Sequence, residues 1–122
     1  MTVELVSLTW DAAQPVQLAR FRAAALGWEI SDDTADTARL RPTDGTGFAF
    51  TFVLAPGEKS SKNRVHLDLS SRSAEDQRAT VTRLTGIGAS EIDIGQGRDA
   101  PHVVLADPDD NEFCLLAPAS PR

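Results

Sequence analysis

With 122 residues, 41% of them apolar, the chain has material for one hydrophobic core of ordinary domain size. A net charge of −6 argues against a nucleic-acid surface, which needs clustered Lys and Arg, and no nucleic-acid partner is expected. The longest apolar run, 48–55, is too short for a membrane span. The single cysteine, Cys114, can form no internal disulfide, and the N-terminus lacks a basic, apolar leader, so a cytoplasmic location is expected.

In chain order, Val3 to Thr9 reads as a strand rich in β-branched residues. Asp11 is expected to cap a helix, with Gln14 at the capping-box position and Pro15 in the first turn. Val16, Ala19, Ala23 and Leu26 recur at helical spacing, and Gly27 supplies the left-handed stop. Strands follow at 28–30, 37–41 and 48–54, the last two separated by a turn holding Asp44-Gly45. The polar stretch at about 56–63 reads as a linker.

The order then repeats. A strand at 64–70 leads to a helix opened by Ser73 and carrying Val81 and Leu84 inward. Strands at 91–94, 102–106 and 112–117 complete the chain. Val53-Leu54-Ala55-Pro56 recurs as Leu115-Leu116-Ala117-Pro118, an offset of 62. Such an offset marks a duplicated supersecondary unit. The expected organisation is α+β, one domain over 1–122 made of two tandem βαβββ units, about 1–56 and 64–118.

Leu26-Gly27-Trp28, Val65-His66-Leu67-Asp68-Leu69 and the stretch from Asp107-Pro108-Asp109-Asp110-Asn111 to Leu116 then carry a resemblance. The chain resembles the glyoxalase-like branch of the vicinal oxygen chelate superfamily. That branch includes glyoxalase I, extradiol dioxygenases, epimerases, fosfomycin-resistance transferases and bleomycin-binding proteins. The resemblance implies two units forming a concave mixed sheet, helices outside, a small-molecule ligand within and a homodimeric assembly. In metal-dependent members the first and last strand of each unit each give one ligand. The resemblance offers His66 and Glu112 in the second unit. The 62-residue offset sets Glu4 opposite His66 and Phe50 opposite Glu112.

Strand alternation places His66, Asp68, Glu112 and Cys114 on one face and Leu67, Leu69, Phe113 and Leu115 on the other, toward the helix, with Val65. His66 and Glu112 are the expected acid–base pair, and the expected metal set is His66, Glu112 and Glu4. Two firm ligands are too few for a closed zinc site. The cofactor expectation is therefore none, or a weakly bound Zn, Ni, Mn or Fe. Phe48, Phe50 and Phe52 alternate along one strand face and are expected to form an aromatic wall for the ligand, with the face of Ala49, Thr51 and Val53 toward the helix. His102 is expected at the mouth, and Asp68 and Cys114 as further ligand contacts. Lyase or isomerase turnover of a small oxygen-bearing compound is the leading function. A drug- or metabolite-binding module of the bleomycin-resistance kind and a metal-dependent glyoxalase or dioxygenase are the alternatives.

Overall fold

The sequence of elements is β1 (Ser7–Ala12), α1 (Pro15–Leu26), β2 (Glu29–Asp33), β3 (Thr37–Arg41), β4 (Ala49–Leu54), β5 (Leu67–Ser70), α2 (Ala74–Gly86), β6 (Ser90–Glu91), β7 (Val103–Ala106) and β8 (Glu112–Leu116). The structure is a computed structural model that describes residues 2–55, 57, 61–71, 74–92 and 102–116. It divides into two compact units, 1–58 and 59–122, and the boundary falls within the expected linker. Each unit is a βαβββ motif with one four-stranded mixed sheet, in the orders β1-β4-β3-β2 and β5-β8-β7-β6. The fold is α+β, as the sequence indicates.

In the first unit, β1 runs parallel to β4, with Ser7 beside Ala49 and Ala12 beside Leu54. This pairing corrects the expected start of the first helix. Ala55 N–H still donates to Ala12 O at 2.9 Å, so Asp11 belongs to the ladder and caps nothing. Gln14 is the N-cap residue, without a side-chain cap bond, and Pro15 opens α1, where a missing N–H costs nothing. Gly27 ends α1 at φ 75°, in the left-handed region that glycine enters without strain. The first strand also begins later than expected, because residues 3–6 lie exposed ahead of it.

The buried stripe of α1 is Pro15, Leu18, Ala19, Phe21 and Arg22, rotated from the expected one, and Val16, Ala23 and Leu26 are only half-buried. Arg22 is the surprise on this face. Its guanidinium carbon lies 4.5 Å from the Trp10 ring centroid and 5.7 Å from each of Phe50 and Phe52. Trp10 is 4.8 Å from Phe50 and 5.6 Å from Phe52, so the three rings form a cluster beneath a buried cation. Such stacking is worth about 2 kcal/mol when desolvated. The even-numbered residues of β4, together with Ala38 and Leu40 of β3, therefore face α1. Trp28 is buried as well, and its indole N–H donates to Asp44 Oδ2 at 2.9 Å. Hydrogen bonds from Thr46 first, and from Trp28, hold the Asp44 carboxyl below its ordinary value.

In the second unit, β5 is parallel to β8, with Leu67 beside Phe113 and Asp68 beside Cys114. Val81 and Leu84 of α2 are buried as expected, while the Ser73 cap and the stretch 95–101 lie outside the described residues. The β7–β8 turn is built on Asp107. One of its carboxylate oxygens accepts the N–H groups of Asp109 and Asn111, each at 2.9 Å. Asp110 takes φ 66°, which an Asp adopts at modest cost.

The backbones of the two units differ in phase. In β4 it is odd-numbered Ala49 that bonds toward β1, through Val6 O, whereas in β8 it is even-numbered Leu116 that bonds toward β5, accepting from Ser71. Both units share one connectivity, and parallel crossovers are right-handed. Residues bonding toward the first strand therefore face away from the helix in each unit. Ala49, Thr51 and Val53 turn away from α1, and Glu112 and Cys114 turn away from α2.

Candidate functional site

Asp68 pairs with Cys114 across the parallel ladder, so their side chains leave the sheet on one face, and His66, two residues before Asp68, joins them. The His66 Nδ1 atom lies 3.2 Å from Asp68 Oδ1 and 3.9 Å from Cys114 Sγ. One donor atom from each of the three residues lies within 4.8 Å of the others. Cys114 forms the buried base, while the side chains of His66 and Asp68 remain 37% and 52% exposed, leaving the cluster open on its outer side.

Burial, and next the negative charge of Asp68, pushes the Cys114 thiol above its ordinary value of 9.0, with Lys62 partly opposing. At neutral pH the thiol is a protonated, weak donor, which agrees with reading it as a small buried side chain rather than a nucleophile.

Glu112 shares this face but has another occupation. Its Oε1 accepts the Asn63 backbone N–H at 2.8 Å, and its own N–H donates to Asn63 Oδ1 at 2.9 Å. Asn63 Nδ2 completes the clamp by donating to Asn111 Oδ1 at 3.2 Å. Residue 63, expected as linker, is thus fastened to the start of β8, three positions before His66. The structure groups His66 with Asp68 and Cys114, and Glu112 with Asn63. Glu112 stands outside the three-residue cluster.

The first-unit expectations change more. Glu4 is exposed, three residues ahead of β1, and the single offset that matched it to His66 fails. Partners are 42 positions apart in β1–β4 (Ser7 with Ala49) but 46 apart in β5–β8 (Leu67 with Phe113). Phe50 and Phe52 are core residues under α1, in contact with Arg22, and Phe48 is half-buried beside Phe50. The helix side is theirs, not that of Ala49, Thr51 and Val53, because ring area is buried most fully against α1. The opposite face carries hydroxyls: Ser7 Oγ and Thr51 Oγ1 lie 2.9 Å apart, and Arg39 donates to Thr51. Val65 is 79% exposed and does not join Leu67 and Leu69, which are half-buried. His102, half-buried, immediately precedes β7.

The four-ligand His/Glu centre implied by the resemblance does not fit these residues. On the first-unit face turned away from α1, Ser7 of β1 and Ala49, Thr51 and Val53 of β4 offer neither histidine nor carboxylate, while Phe50 faces α1. Among the described residues, His66, Asp68 and Cys114 are the group whose donor atoms lie close enough together to hold an ion. Arg22, Asn63 and the His66–Cys114 approach were missed in the sequence. Arg22 alone had a signal, lying at i+7, i+4 and i+3 from Pro15, Leu18 and Ala19.

A paired-βαβββ protein with a polar cluster on the second sheet belongs to a recognisable class. A glyoxalase-like domain model matches residues 7–116, and the chain belongs to that family, within the vicinal oxygen chelate superfamily. Its fold is similar to that of a possible glyoxalase from Bacillus cereus (18% identity, TM-score 0.71, covering 95% of this chain and 100% of that one). A glyoxalase/bleomycin resistance protein/dioxygenase family enzyme from Burkholderia phytofirmans PsJN is similar at 16% identity and TM-score 0.73, over 93% of this chain and 97% of that one. A glyoxalase-related enzyme from Fulvimarina pelagi is similar at 16% identity and TM-score 0.72, over 98% and 92%. At these identities the likeness is one of fold. No curated protein matches the sequence. Among the described residues, no helix is long and apolar enough to cross a membrane.

Proposed function

We propose that this glyoxalase-like protein binds a small oxygen-bearing compound at the His66–Asp68–Cys114 face and turns it over as a lyase or isomerase. One observation supports the reading: a His–Asp pair at 3.2 Å, open to solvent, above a buried thiol. With Nδ1–H donated to Asp68, the neutral imidazole presents the Nε2 lone pair outward. There it can take a proton from a carbon next to a carbonyl, whose oxygen takes up the electron pair as an enolate, and Asp68 stabilises the imidazolium that forms. His66 is the base in this reading and Asp68 its positioning residue. Glu112 serves the site by anchoring Asn63 rather than by proton transfer. A homodimer in the cytoplasm is the proposed setting.

The test is a panel of hydroxy acids, keto acids and vicinal diols, read by ligand-observed NMR for binding and for proton exchange at the carbon. Exchange with wild type that disappears in His66→Ala, while binding persists, supports the enzyme. In Asp68→Asn the exchange slows and its pH dependence shifts. Binding without exchange in every variant would establish instead a binding module of the bleomycin-resistance kind. Binding that ignores both substitutions would place the ligand elsewhere.

A further inference from the structure

We infer that Arg39, Thr51, Thr9 and Ser7 form a carboxylate-binding subsite on the first-unit sheet face turned away from α1, for a monoanion with a short apolar body. The inference goes beyond the proposed turnover and does not rest on it. Register supplies the geometry. Thr9, Thr51 and Arg39 are successive partners across β1, β4 and β3, so their side chains leave the sheet on one face, in a single row. With strands about 4.8 Å apart, the row spans roughly 10 Å. The Arg39 side chain reaches along it and donates from Nη1 to Thr51 Oγ1 at 3.4 Å. Ser7 Oγ joins at 2.9 Å from the same Thr51 oxygen.

Donors on this face outnumber acceptors. One of the two hydroxyls donates across the Ser7–Thr51 contact, and the other keeps its hydrogen for a further acceptor, since Leu8 O lies a long 3.4 Å from Ser7 Oγ. The Thr9 hydroxyl is exposed and takes no partner among the described residues. Arg41, on the same side of β3, is ion-paired with Glu29, whereas Arg39 has no acidic partner among the described residues. Asp32 stands opposite Arg39 in the β2–β3 ladder, beside a bulge, but the guanidinium turns to Thr51 instead. The rest of its planar N–H fork is left for a ligand, and that fork matches a carboxylate in a two-point contact. Asp32 at one end of the row and Asp11, beside Val53, near the other repel a second negative charge, which selects a carboxylate over a phosphate dianion. Ala49 and Val53 flank Thr51 on the same face and can meet a short apolar body.

Butyrate is the probe, with butyramide as its neutral isostere and inorganic phosphate as the dianion. Each is titrated into the whole ¹⁵N-labelled chain at neutral pH and constant ionic strength, followed by the backbone amides and the Arg39 Nε–H signal. The expected result is saturable shifts at Thr9, Thr51 and the Arg39 Nε–H, with a Kd of millimolar order. Butyramide gives no saturable shift, and phosphate binds at least about fivefold more weakly than butyrate. Arg39→Gln weakens butyrate binding by at least about tenfold, and Thr51→Val by about threefold. Arg39 is exposed, so Arg39→Gln keeps the fold and carries the test if Thr51→Val unfolds. No saturable shift with wild type, an equal response to butyramide, affinity unchanged in Arg39→Gln, or phosphate binding as tightly as butyrate would overturn the subsite. Proton exchange that depends on His66 bears on the proposed function alone, and the carboxylate subsite stands or falls with Arg39.

Discussion

Glu112 and Asn63 hold each other reciprocally: the Glu112 carboxylate accepts the Asn63 N–H, and the Asn63 side-chain oxygen accepts the Glu112 N–H. Removing a buried acceptor leaves the donor opposite it unmet, which costs about 1–3 kcal/mol. Glu112→Ala should therefore lower unfolding stability by that amount in urea titration. Glu112→Gln keeps an acceptor and should lose roughly half as much. If Gln and Ala variants are equally stable, the clamp is not what Glu112 supplies.

Arg22 over Trp10 predicts an energetic coupling. In a double-mutant cycle of Arg22→Met and Trp10→Leu, the two losses should be less than additive, with a coupling of about 1–2 kcal/mol. Additive losses would mean that the guanidinium contributes only volume to the core.

The Cys114 thiol, raised above 9.0 by burial and by Asp68, stays protonated in the folded chain where an unfolded one ionises. Folding therefore favours the proton-bound form. The stability this gives is complete below pH 9.0 and falls as pH rises through the folded value. Iodoacetamide labelling of native protein should be slow at neutral pH and lag the urea-unfolded chain until pH passes well above 9.0. Asp68→Asn removes the charge and should bring the two labelling curves closer together.

Asp110, at φ 66°, is the only non-glycine residue with a positive φ among those described. Asp110→Gly should raise stability by about 0.5–1 kcal/mol, read as a higher thermal midpoint with the β7–β8 turn intact. A lower midpoint would show that the Asp110 side chain does something in the turn beyond tolerating its conformation.

Most of the architecture was legible because it depends on local pattern. Gly27 after an apolar helix and Asp44-Gly45 between two short strands act through their own backbone preferences. The grouping of His66, Asp68 and Cys114 on one face was also legible, because alternation within a strand is a local property. What could not be read was register. Whether Cys114 or Glu112 meets His66 depends on which residues of β5 and β8 lie side by side, and nothing local to either strand determines that. Glu4 and Phe50 failed for the same reason, having been placed by counting along the chain.

The opposite hydrogen-bonding phase of β4 and β8 changes what the repeated Val-Leu-Ala-Pro and Leu-Leu-Ala-Pro can mean. Val53 turns away from α1, whereas Leu115, its match by sequence, turns toward α2 and is buried. The same letters perform opposite jobs, so Val53 and Leu115 are not counterparts in the fold, since residues an odd number of steps apart lie on opposite sheet faces. Comparison of the halves should therefore start from the ladders, where the Ser7–Thr51 hydroxyl pair is the true counterpart of the His66 face.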